Sequence, residues 1–145
     1  MKKGYKLLIL AITITYLQSC LFFDNQEQSY PNITKSQIKY LEVYGKIEKT
    51  ISDEESIGRL VKIFADSSNY YPHENVEINK LKRELTANII YDADTLSLWV
   101  YPTEIDNKYE IGFLDPYNPK EPNKFRKFNR FYMNEKFIEF IKNNK

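Results

Sequence analysis

The chain has 145 residues, room for one domain of ordinary size and too few for two. Its 21 Lys and Arg nearly balance 20 Asp and Glu, so no whole-molecule field draws it to nucleic acid. With one Cys and one His, neither an internal disulfide nor a Cys-ligated metal site is expected, and four glycines, at 4, 45, 58 and 112, cannot build a phosphate-cradling loop.

Lys2, Lys3 and Lys6 form a positive head, and no acid occurs before Asp24. Leu7 to Leu17 then gives eleven largely apolar residues. As a helix rising about 1.5 Å per residue they would reach roughly 17 Å, short of a ~30 Å hydrocarbon core. The run fits the hydrophobic part of an export signal, and Leu17-Gln18-Ser19-Cys20 stands where a cleavage site belongs.

Residues 1–20 resemble the signal peptide and lipobox of bacterial lipoproteins. Leu17 matches the aliphatic residue three places before the Cys, Ser19 the small residue directly before it, and Cys20 the Cys itself. The resemblance implies that Cys20 receives a diacylglyceryl group, that residues 1–19 are removed, and that the new amino group is often acylated (a palmitate-type anchor). It implies an extracytoplasmic address, on the periplasmic or cell-surface side of a bacterial membrane, and nothing about the domain behind it. Two other readings of the stretch are an ordinary secretory signal with an incidental Cys20, and a buried N-terminal helix. Loss of the leader leaves 126 residues with 18 bases against 20 acids, a mature charge near −2.

Residues 20–36 read as the lipidated Cys and a tether, polar after Leu21-Phe22-Phe23 and interrupted by Pro31. Residues 37–145 read as a single α+β domain. Gln37 to Ile51 alternates as a strand, with a bulge or bend at Gly45 and an extended continuation. Ser52 and Glu55 fit a capping box, and Ile57, Leu60, Val61 and Phe64 make one apolar stripe of a helix over about 53–66, with Arg59 on the opposite side. Tyr70 to Lys82 shows no period. Arg83–Tyr91, Leu96–Tyr101 and Tyr109–Leu114 read as an antiparallel meander turning at Asp92-Ala93-Asp94-Thr95 and Asp106-Asn107-Lys108. Asp115 to Asn123 carries three prolines and must be a loop. Phe125, Phe128, Phe131 and Tyr132 are expected to rejoin the core in a short strand. Asn134 is expected to cap a last helix over about 135–143. The expected fold is an antiparallel sheet of four to five strands with both helices on one face.

Candidate chemistry is sparse. His73, in an irregular stretch, lacks any Gly-x-Ser-x-Gly, His-x-x-x-His or Cys partner and reads as an exposed loop residue. Asp92 and Asp94 read as turn residues, not metal ligands. No catalytic residue, cofactor or metal site stands out. Two groups remain as a candidate binding surface. Tyr70, Tyr71, Tyr101 and Tyr117 flank proline-bearing loops and offer rigid contact area. Lys124, Arg126, Lys127 and Arg130, with Lys120, interleave with Phe125, Phe128 and Phe131, a pattern read either as a strand with its bases in water or as contact with an acidic protein, glycan or lipid headgroup. The expected function is a non-enzymatic, membrane-tethered binding module, an inhibitor or immunity-type protein being one version. Its partner would be an envelope protein or a saccharide, with no nucleic acid involved. The alternative is a small envelope hydrolase using paired carboxylates.

Overall fold

The computed structural model describes residues 29–34, 37–72, 82–116 and 118–144. Cys20, His73 and Tyr117 lie outside them. Seven strands form one antiparallel sheet: β1 Ile38–Gly45, β2 Lys49–Ile51, β3 Tyr70–Tyr71, β4 Leu85–Tyr91, β5 Thr95–Pro102, β6 Lys108–Leu114 and β7 Phe128–Asn134. Their order across the sheet is β2-β1-β4-β5-β6-β7-β3. Two helices complete the α+β fold, α1 Glu54–Ala65 and α2 Lys136–Asn143.

The expected meander is β4-β5-β6, with boundaries within one or two residues. The strand count exceeds the expected four to five for two reasons. At Gly45 the chain does not continue extended. Its φ of +123° suits glycine, and the chain reverses so that Lys49 and Ile51 pair back with Val43 and Leu41. At the other edge, Tyr70 and Tyr71, expected to be irregular, pair with Met133 and Tyr132. Both edge strands are very short, which limits the unpaired backbone offered to other chains.

The core follows the period of two. Leu41 and Val43, Leu85, Ala87 and Ile89, Leu98 and Val100, Ile111 and Phe113, and Phe131 and Met133 are buried alternates of five neighbouring strands. Leu60 and Phe64 of α1 and Phe137, Ile138 and Ile141 of α2 belong to the same cluster. Phe64 is edge-on to Phe137 at 5.0 Å and to Phe131 at 6.4 Å, so both helices meet β7 at one aromatic seam. Docking begins inside the stretch expected to be tether: Ile33 is buried, and the Tyr30 ring lies 4.6 Å from Tyr70 and 5.7 Å from Phe131.

The caps differ from expectation by a residue or two. Asp53 caps α1, its Oδ1 accepting from the Ser56 N–H at 2.8 Å, while Ser52 stands one place too early. The Ser56 and Asp53 backbone bonds hold the Asp53 carboxyl below its ordinary value. α2 starts after Glu135, which makes no side-chain cap. Asn134 still serves that end, accepting from the Lys136 N–H at 3.1 Å.

Candidate functional site

Because side chains alternate along a strand, the residues between the core positions share the opposite face of the sheet. Register joins four of them into one rank: Tyr101 of β5 lies opposite Glu110 of β6, Glu110 opposite Tyr132 of β7, and Tyr132 opposite Tyr71 of β3. In the next rank Trp99 faces Gly112, and Gly112 faces Arg130.

This outer face is not the solvated polar surface that the strand pattern leads one to expect. Glu110 and Lys108 are each only 3% exposed, and Tyr132 is buried beside them. The Lys108 ammonium lies 4.9 Å from the Tyr71 ring centroid and 5.2 Å from that of Tyr132, within cation–π range of both. Glu110 Oε2 finds no hydrogen-bond partner among the described residues. A buried carboxylate oxygen left unpaired is costly, and such positions are commonly explained by function.

Beside the rank lies an aromatic slab. Trp99 and Phe128 stack with centroids 6.0 Å apart and planes 24° apart. Gly112 makes this possible: a Cβ there would stand 2.6 Å from Phe128 Cζ, so the ring occupies the space a side chain would take. Phe128 remains 53% exposed.

The structure divides the residues expected to act together. Tyr71 and Tyr101 belong to the rank, and half-buried Arg130 lies on the same face. Tyr70 turns toward the core. Its hydroxyl donates to the Phe64 carbonyl at 2.6 Å, and burial, with a smaller contribution from Tyr30, pushes it up to about 12. Lys124, Arg126 and Lys127 are exposed on the loop before β7. The expected final strand is present and buries Phe131 and Tyr132, but the reading is corrected for the other two rings: β7 begins only at Phe128, Phe128 points to the outer face, and Phe125 is 99% exposed. The run of prolines and the Asn118–Lys124 turns interrupt the pairing, which resumes where the Lys127 carbonyl accepts from the Asp115 N–H at 2.9 Å.

Asp92 and Asp94 form the turn between β4 and β5, as expected. Asp92 pairs with Lys39 at 2.8 Å, and Asp94 Oδ1 accepts from the Thr95 N–H at 2.7 Å. Both rim a cleft of about 610 Å³ that reaches Leu96 and Phe113 and has Arg126 on its other side. A third acid there, Asp115, accepts from Asn129 Nδ2 at 2.5 Å. Each of these carboxylates is thus tied to a local donor. Among the described residues no three His, Cys, Asp or Glu side chains are placed to share a metal ion.

Sequence reasoning passed over Lys108, Glu110 and Phe128 as functional residues. The available signal was the Lys-x-Glu alternation in a strand that also carries Ile111 and Phe113. The alternation alone does not mark Lys108 and Glu110 as buried, since outer-face residues of the equally central β5, such as Trp99 and Tyr101, stay half-exposed. The chemistry assembled is one carboxylate acceptor, one ammonium, several phenols and a flat apolar slab, a set suited to stacking and hydrogen bonding. Comparison of the chain with protein-family models, with curated proteins and with solved structures finds no match.

Proposed function

We propose that the chain is an extracytoplasmic lipoprotein, held to a bacterial membrane through lipid on Cys20, whose domain is a non-enzymatic binding module of the cell envelope. The observation that carries the binding reading is the Trp99–Phe128 slab, with Phe128 53% exposed and half-buried Tyr101 in the neighbouring rank. A flat, partly exposed aromatic slab with a phenol nearby suits a sugar ring, whose C–H face stacks while a hydroxyl pairs. A saccharide of the envelope is therefore the favoured partner, and an envelope protein, including a toxin or lytic enzyme met by an inhibitor or immunity-type protein, is the other.

An array of envelope glycans and peptidoglycan fragments, probed with wild type and with Trp99→Ala, tests the reading. The variant should lose at least about tenfold in affinity, the usual scale for a buried aromatic anchor, while its melting transition persists. Equal binding by a folded Trp99→Ala would remove the slab from the site. The unpaired oxygen of buried Glu110 favours one second reading, a small carboxylate-dependent hydrolase. That reading requires glycan turnover that Glu110→Gln abolishes with binding intact.

A further inference from the structure

Phe125 is 99% exposed, an unusual position for the ring of a phenylalanine. It stands between Lys124 and Arg126, with Lys127 and Lys120 on the same loop and all four bases exposed. From Asp115 to Lys127 the loop holds four bases and two acids, a local excess of positive charge on a mature chain that is net negative. One of the acids, Glu121, is paired with Lys124 at 3.1 Å, and the other, Asp115, is tied to Asn129.

The loop also lies at a defined end of the domain. Arg126 walls the same cleft as Ser29, Tyr30, Pro31 and Asn32, where the described chain begins. Nine residue steps separate Ser29 from Cys20, a span of at most about 30 Å even fully extended. A lipid on Cys20 would therefore keep this end of the domain facing the bilayer at short range.

We infer that the Lys124–Lys127 tip is a second membrane contact, with Phe125 entering the interfacial layer and Lys120, Lys124, Arg126 and Lys127 meeting anionic lipid headgroups. The direction the tip faces rests on the proposed lipid anchor; the chemistry of the tip does not. A single ring and a few bases bind weakly alone, because each base contributes only within about a Debye length of the surface. Tethering supplies the missing affinity by raising the local concentration of the surface. The contact fixes the orientation of the domain relative to the membrane.

The test uses the full chain, exported and purified in detergent, then added to vesicles of phosphatidylcholine with or without phosphatidylglycerol. Phe125→Trp in a Trp99→Phe background places one tryptophan at the tip. Its emission should shift to the blue and be quenched by brominated lipid, at least severalfold more with phosphatidylglycerol present, and Lys124→Glu with Lys127→Glu should remove that difference. If the Trp99→Phe background fails to fold, a nitroxide on Phe125→Cys, with Cys20 blocked by lipid or replaced by Ser, reads the same depth. A water-like spectrum in both vesicle types, or a tip quenched equally without anionic lipid, overturns the inference. The mass of the N-terminal peptide judges the anchor separately. Lipid on Cys20 with an unquenched tip leaves the anchor standing and the contact refuted. A quenched tip without lipid on Cys20 does the reverse.

Discussion

Arg59 of α1 donates to the Oδ1 of Asn144 at 2.7 Å, tying the first helix to the residue that ends the second. The same guanidinium donates to Ser56 Oγ at 3.0 Å and lies 5.8 Å from the centroid of the Phe140 ring. Buried Asn144 also accepts from Ser56 Oγ at 2.9 Å and, through its carbonyl, from Lys49 of β2. Three elements, α1, β2 and α2, thus converge on one asparagine. The helical phase put Arg59 on the far side of the apolar stripe, where an Ala substitution would be neutral; its reach to Asn144 changes that expectation. Arg59→Ala should lower unfolding free energy by about 1–2 kcal/mol, the scale of hydrogen bonds involving a charged group, while Lys62→Gln stays within about 0.5. Urea melts of both variants decide it; equal midpoints would mean the clamp is not populated.

The identity of the α1 cap has its own pair of variants. Asp53→Ala should lower the denaturation midpoint and Ser52→Ala should leave it unchanged, because only Asp53 reaches the Ser56 N–H. The same group sets part of the acid limb. The Ser56 N–H lowers the carboxyl of Asp53, and the Ser68 hydroxyl and N–H lower that of Asp66, from the ordinary value of 3.8. Their contribution is complete above that value and lost as pH falls through the lowered folded-state values. At the alkaline end the direction reverses. Tyr70, raised from 10.0 to about 12, contributes below its unfolded value and loses that contribution as pH rises through the folded one. Tyr70→Phe should flatten this part of the alkaline limb, read by thermal melts across pH.

Gly112→Ala separates the slab from the fold. The new Cβ would meet the Phe128 ring at 2.6 Å, and that ring, half in solvent, can swing away at a cost of about 1–3 kcal/mol or less. Moving it breaks the stack with Trp99, so the near-ultraviolet dichroism of the single tryptophan should change while the far-ultraviolet spectrum holds. Glycan binding, where present in wild type, should fall with it. An unchanged near-ultraviolet signal would show that the rings are not coupled in solution.

Much of this fold was legible because its central strands are long enough to show their period. Leu85, Ala87 and Ile89 announce β4, and Ile57, Leu60 and Phe64 announce α1, without help from any partner. The short edge strands were not legible: Lys49–Ile51 and Tyr70–Tyr71 are strands only because β1 and β7 supply the hydrogen bonds. Gly45 was seen as a break, but a bend and a reversal look alike until the pairing is known. The candidate site was less legible still. A charge on a strand normally marks the wet face, yet Lys108 and Glu110 are each 3% exposed. Phe125 failed for the opposite reason, since composition alone assigns an aromatic to the core.

The address of the protein turns on Cys20. Mass spectrometry of the mature N-terminus should find the chain beginning at Cys20 with lipid on its sulfur, and Cys20→Ser should release the protein from membranes or leave uncleaved precursor. Cleavage elsewhere, or an unmodified thiol, removes the anchor. Among the described residues no helix is long and apolar enough to cross a membrane. One acyl chain binds only marginally, so stable attachment needs the two or more chains that lipoprotein processing supplies, or the added contact at Phe125.

The last prediction concerns the two charges buried under the outer face. Lys108 and Glu110 are two residues apart on β6, so their side chains leave the strand on the same side, and each is 3% exposed. In so dry a setting opposite charges on one face of one strand should feel one another, because less water screens them. Lys108→Met and Glu110→Gln each remove a charge while nearly keeping the side-chain volume. Lys108→Met also forfeits the attraction of the ammonium to the rings of Tyr71 and Tyr132, a cost of about 2 kcal/mol for a desolvated cation. Glu110→Gln gives the unpaired oxygen position an amide that must also find a partner. If the charges are coupled, each single variant removes part of what balances the other charge, and the double variant is less destabilised than the two singles added together. The expected coupling is about 1–3 kcal/mol in a double-mutant cycle from denaturant melts. Additivity within about 0.5 kcal/mol would mean that the protein handles the two charges separately.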